Sequence, residues 1–207
     1  MDVKLKNDIE LCWGTPIFVF EFPEMQNINT DLISIILDNM EHTTGLSKSN
    51  NGGWHSTDDM LSWPGDSINV LSQTILKSFH IVTQRTAGHL GYKGQVQITC
   101  WANVNGNGDS NDVHNHPQSS WSGVYYVDTG TPRSLDGNSG QIYFLDPRSG
   151  AGMCQDPFQM YGMGREFKPE NGQLLLFPSW LMHGVHSYLG NTKRISIAFN
   201  ISLLELM

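Results

Sequence analysis

The spacing of apolar residues changes near Gln95, and this change constrains the fold more than any other feature of the chain. Before it, the apolar positions recur at helical intervals. Ile68, Leu71, Ile75, Phe79 and Val82 make one stripe, which predicts a helix from about Pro64-Gly65-Asp66 toward Thr86, with Gly88 as its stop. Leu32, Ile36 and Met40 predict a shorter helix over 31–41, with Asn29 or Thr30 as cap. A strand is expected over 14–22. After Gln95 the chain reads as short strands at about 95–104, 121–127, 140–145, 172–177, 182–189 and 193–202. Turn residues separate them, among them Asn105-Gly106-Asn107-Gly108 and Asp146-Pro147. Helices followed by a run of strands is an α+β pattern. The expected architecture is a double-stranded β-helix, a jelly-roll or cupin-like barrel, with packed N-terminal helices. Helical support spans about 29–88 and the barrel core about 93–202, in a single domain over 1–207.

Charge and cysteine content narrow the function classes. The net charge is −8 with 12 Lys plus Arg, so the basic footprint of a nucleic-acid binder is missing and such a partner is not expected. Cys12, Cys100 and Cys154 are an odd, widely spaced set with no disulfide framework or CxxC zinc signature. With no apolar leader segment and no long apolar run, a cytoplasmic chain without a membrane span is the expectation, and a homodimer is compatible with it.

Three of the eight histidines stand where metal chemistry would want them. His114 and His116 lie two apart in DVHNHPQSSWSGVYYV, and an extended backbone points such residues to one face. His183 follows 69 residues later in LLLFPSWLMHGVHSYL, on a strand that a barrel could bring back to the first. Two neighbouring ligands and a distant third leave the far side of an ion open, as mononuclear non-haem iron oxygenases require. A lone His-x-His is more often a surface feature, so the assignment needs support from elsewhere in the chain.

That support begins 11 residues after His183, at Arg194-Ile195-Ser196. Arg194 and Ser196 share a strand face. A guanidinium grips a carboxylate through two parallel N–H donors, and the serine adds a third. A dicarboxylate could reach the metal with one end and Arg194 with the other. Taken alone, Arg194 would read as a solvated strand-end residue.

WANVNGNGDSNDVHNHPQSSWSGVYYV, GQIYFLDPR and LLLFPSWLMHGVHSYLGNTKRISIAFNIS together resemble the 2-oxoglutarate/Fe(II) oxygenase superfamily, in particular a group of small oxygenases related to prolyl hydroxylases. The superfamily pattern of His-x-Asp/Glu, a distal His and Arg-x-Ser falls on His114, His183, Arg194 and Ser196. One position departs from it: His116 stands where the pattern has a carboxylate. Asp112 is the competing third ligand, ranked below His116 because the pattern puts the second ligand after the first histidine. The resemblance implies Fe(II) and 2-oxoglutarate as cofactors, O2 as co-substrate, and hydroxylation of a small-molecule or protein side-chain substrate with release of succinate and CO2. It also implies that Tyr126, ahead of Tyr125, helps hold 2-oxoglutarate.

Other residues carry less weight. Asn103 could donate into the cavity, and Asn200 lies on the Arg194 side by parity. Arg148 reads as a turn partner of Asp146, with a substrate role as the minority alternative. His186 falls on the wrong strand face for a ligand. His42, His55, His80 and His89 read as structural. Segments 45–63 and 147–168 could cover the barrel mouth, with Trp54, Trp63, Phe158, Met160 and Tyr161 as candidate substrate contacts. Two rival readings remain: a three-histidine cupin-like dioxygenase without 2-oxoglutarate, and a non-catalytic jelly-roll binding or structural module.

Overall fold

The structure is a computed structural model that describes residues 14–88, 90–134, 137–153 and 164–204. The N-terminal half holds two helices, α1 (Gln26–His42) and α2 (Asp66–Ala87). The strands are β1 (Phe18–Glu21), β2 (Asn50–Asn51), β3 (Trp54–His55), β4 (Val96–Asn105), β5 (Ser110–His114), β6 (Trp121–Asp128), β7 (Ile142–Phe144), β8 (Arg165–Phe167), β9 (Gln173–Pro178), β10 (His183–Val185) and β11 (Arg194–Leu203). They form two antiparallel sheets, ordered β1-β9-β6-β11-β4-β3 and β2-β5-β10-β7-β8. This is the expected jelly-roll with helical support. No helix among the described residues is long and apolar enough to cross a membrane.

The larger sheet has two working faces, and strand alternation assigns residues to them. On the outer face Ile195, Ile197, Phe199 and Ile201 of β11 join Cys100, Ala102 and Val104 of β4. They pack on Leu32 and Ile36 of α1 and on the predicted stripe of α2. On the inner face the register lines up cross-strand rows. Asn105 stands opposite Arg194, and His55, Asn103, Ser196 and Tyr126 follow one another from β3 to β6. Trp101, Ala198 and Val124 form the next row, and Thr99, Asn200 and Ser122 the one after. A bulge between Ile195 and Ser196 sets Tyr126 beside Ser196. Bulges of this kind re-aim side chains next to sites.

Several expectations change in detail. Helix α1 starts at Gln26 and runs straight through Asn29 and Thr30, so neither caps it. Asn29 is buried and accepts the Tyr125 hydroxyl at 2.6 Å, tying the helix to β6, while Thr30 donates back to the carbonyl of Gln26. The strand expected over 182–189 ends at Val185. Beyond it the backbone of Tyr188 bonds to Asp109 and Gly108, and its ring turns inward against Gly130 and Gly190. A β-carbon at Gly190 would lie 2.1 Å from the Tyr188 hydroxyl, so only glycine leaves room for that ring.

Candidate metal centre and anion clamp

The two sheets enclose a cavity of about 430 Å³. Its histidine-bearing wall comes from the smaller sheet and the turn after β5. Antiparallel pairing sets His183 of β10 directly opposite His114 of β5, with ring centroids 4.4 Å apart. His116 follows two residues beyond, after β5 has ended, and its ring lies 4.9 Å from that of His114 and 5.2 Å from that of His183. One ligand atom from each of the three comes within 4.8 Å of the others. Among the described residues these three are the one group that could hold a metal ion.

Backbone contacts prepare the rings. A carbonyl only accepts, so His114 Nδ1 carries the proton it donates to Asp112 O at 2.7 Å, and His183 Nδ1 the one it donates to Leu181 O at 2.8 Å. Each Nε2 is left as a bare lone pair, and outer-shell carbonyls of this type fix ring orientation in metal sites. Burial lowers the pKa of all three imidazoles. His116 falls to about 4, through burial and then the neighbouring His114, and His183 to about 3 for the same reasons. Neutral imidazole is the form that binds metal. Asp112 points elsewhere: its carboxylate is exposed and accepts from Asn51 of β2 at 2.6 Å.

The opposite wall holds the guanidinium. Arg194 is 2% exposed, and its NH1 group donates to Asn105 Oδ1 and Ser196 Oγ, both at 3.2 Å. Its Nε has no partner, and no carboxylate among the described residues pairs with it. Tyr126 lies beneath the guanidinium, 5.4 Å from its carbon to the ring centroid. The Tyr126 hydroxyl is buried without a partner, and burial raises its pKa to about 12. A fully buried cation without a counter-charge is costly unless an anion completes it. Arg194 lines the cavity, so an anion held there could complete it.

Other expected residues divide. Asn103 and Asn200 line the cavity, Asn200 accepting from Ser122 at 2.7 Å. Tyr125 faces away, bonded to Asn29. Arg148 is paired with Asp146. His186 bonds to Glu166 at 2.9 Å, outside the histidine cluster. Trp54 is not at the mouth: it is a core residue whose indole donates to Thr43 O. Trp63 likewise packs against the core. Both were drawn inward because the flanking turns are polar and the helices leave apolar surface to cover. Phe158, Met160, Tyr161 and His89 lie outside the described residues.

His55 corrects the sequence reading. It is 4% exposed, stacked on Trp101 at 5.4 Å with 12° between the planes, and lines the cavity with Lys48, Ser49 and Asp58. The two-residue strand β3 has no periodicity to betray which way its side chains face.

Residues 99–200 match the family described as "Putative 2OG-Fe(II) oxygenase". No curated protein gives a significant sequence match. Among solved structures, a prolyl-4-hydroxylase of Pseudomonas putida superposes with a TM-score of 0.64 at 12% identity, covering 92% of this chain and 94% of its own. A prolyl hydroxylase of Trichoplax adhaerens, solved with a hypoxia inducible factor peptide, gives 0.61 at 15%, covering 90% and 83%. HygX of Streptomyces hygroscopicus, solved with nickel and 2-oxoglutarate, gives 0.63 at 11%, covering 93% and 85%. At such identities the likeness carries the fold alone. It is the barrel block, residues 99–200, that matches the 2OG-Fe(II) oxygenase family.

Proposed function

We propose that this protein is an Fe(II)- and 2-oxoglutarate-dependent dioxygenase that hydroxylates a C–H bond of an organic substrate and releases succinate and CO2. The observation that carries this reading is Arg194: a buried guanidinium with no counter-charge among the described residues, in the same cavity as three converging imidazoles.

His114, His116 and His183 would hold the iron, which supplies the oxygen chemistry when bound. Three neutral ligands leave the site one unit more positive than two histidines and a carboxylate would. That favours an anionic chelator on the open side. Arg194 and Ser196 would take the distal carboxylate of 2-oxoglutarate through charge-assisted hydrogen bonds. The orphaned Tyr126 hydroxyl would donate to the same group, and Asn103, on the other side of Ser196 in the same row, also lines the cavity. The apolar residues Ala198, Val124 and Phe177 exclude water between the two ends. A cupin-like enzyme working without 2-oxoglutarate would leave Arg194 buried without a task.

The test is succinate release from 2-oxoglutarate with Fe(II) and O2, in wild type and in His183→Ala and Arg194→Ala. Turnover in wild type that both variants abolish supports the reading. Equal turnover in all three removes it.

A further inference from the structure

The primary substrate must meet whatever polar groups of the cavity remain once the imidazole cluster and the Arg194 clamp are assigned. On the β3 side the ionisable ones are His55, Lys48 and Asp58. His55 Nδ1 lies 2.6 Å from the carbonyl of Ser56, so Nδ1 carries the proton and Nε2 is a hydrogen-bond acceptor. Burial lowers the pKa of this imidazole and keeps it neutral near pH 7. Trp101 touches both the His55 ring and the His116 ring, at 5.4 Å and 5.8 Å. His55 is thus close to the chemistry without belonging to the ligand set.

Two side chains of opposite charge line the cavity with it. Asp58 and Lys48 both act on the His55 ring electrostatically, in opposite senses, and neither has an ion-pair partner among the described residues. An acceptor beside a carboxylate suits an ammonium. A lysine lining the same cavity suits a carboxylate. The cavity of about 430 Å³ is also shared with the co-substrate, which leaves space for a small molecule.

We infer that His55, Asp58 and Lys48 form the primary-substrate subsite, and that the substrate is a small zwitterion of the amino-acid type, its ammonium on His55 Nε2 and Asp58 and its carboxylate on Lys48. The inference rests on the reading of this cavity as the 2-oxoglutarate site.

The experiment uses the full chain, 15N-labelled and loaded with Zn(II) and 2-oxoglutarate, titrated separately with L-norvaline, N-acetyl-L-norvaline amide, n-pentylamine and pentanoate. L-norvaline should bind most tightly and shift the Nε2 resonance of His55. His55→Phe keeps a ring on Trp101 and removes the acceptor, and it should weaken L-norvaline about tenfold. Lys48 and Asp58 are exposed, so their variants keep the test open if His55→Phe does not fold. Asp58→Asn should weaken L-norvaline and n-pentylamine but not pentanoate. Lys48→Met should weaken L-norvaline and pentanoate but not n-pentylamine.

The capped norvaline binding as tightly as L-norvaline would mark a peptide side-chain site and overturn the inference. So would binding that none of the three variants changes. 2-Oxoglutarate affinity is measured in the same samples. If 2-oxoglutarate binds in an Arg194-dependent way and L-norvaline does not bind, the substrate class is wrong and the oxygenase reading stands. If neither binds, both fall.

Discussion

His183 faces His114 across the β5–β10 pair, so the backbone register of two short strands sets the distance between two imidazoles that are 69 residues apart in sequence. Their ring centroids lie 4.4 Å apart, and each ring is held by a carbonyl two residues before it.

Removing one of this pair should therefore cost the metal without costing the fold. A divalent ion at about 100 times its Kd stabilises a one-site protein by roughly 2.7 kcal/mol. The thermal midpoint of the wild type should rise by several degrees with Fe(II) under anaerobic conditions or with Zn(II). His183→Ala should show no such rise and should bind no metal in calorimetry. A full metal response in that variant would rule out His183 as a ligand.

Arg194 carries an opposed pair of effects. Arg194→Met should weaken 2-oxoglutarate binding by about 2–5 kcal/mol, the usual cost of truncating one side of a buried charge pair. The ligand-free variant should be as stable as wild type or more so, because a buried cation without a counter-charge is replaced by an apolar side chain of similar length. Thermal melts with and without 2-oxoglutarate separate the two effects. A large loss of stability in the ligand-free variant would mean that Arg194 is structural.

Gly140 has a positive φ of 66°, and a β-carbon there would lie 3.1 Å from Arg194 Cδ and 3.2 Å from its Nε. Gly140→Ala should cost roughly 1–2 kcal/mol of stability through the left-handed backbone. It should also displace the guanidinium and weaken 2-oxoglutarate, while Zn(II) affinity stays unchanged. A parallel loss of both affinities would show a general collapse of the cavity instead.

The metal-free protein should be acid-sensitive. His116 and His183 sit at about 4 and about 3 in the fold, against an ordinary value of 6.5 in the unfolded chain. As pH falls below 6.5 the unfolded chain takes up protons that the folded chain refuses, so stability drops from pH 6.5 down toward 3. Above 6.5 these two groups have no effect. The His116→Gln/His183→Gln double variant should lose less stability over the same range in denaturant titrations. Equal slopes would mean that the two rings are not held neutral by burial.

The strand block from Gln95, the α2 stripe, the inward parity of Arg194 and Ser196 and the pairing of Arg148 with Asp146 were all legible in the chain, because local periodicity and short spacing carry them. The ends of elements were less legible. Asn29 looks like a helix cap in sequence, yet a tyrosine 96 residues away draws it into the helix interior. Trp54 looks like a mouth residue, and His55 like a structural one. The structure reverses both, since the apolar surface of the helices takes the indole and the sheet edge turns the imidazole toward the cavity.

What the sequence determined by itself was the set of chemical parts: a His-x-His pair, a distal histidine and an Arg-x-Ser in an order that a barrel can close. What only the tertiary structure decided was which parts meet. Strand pairing and the turn after β5 bring His116 rather than Asp112 into the cluster, leave Arg194 without a carboxylate partner among the described residues, and set His55 against Trp101. Those are contacts between strands far apart in the chain, fixed by sheet pairing and burial, and no local pattern encodes them.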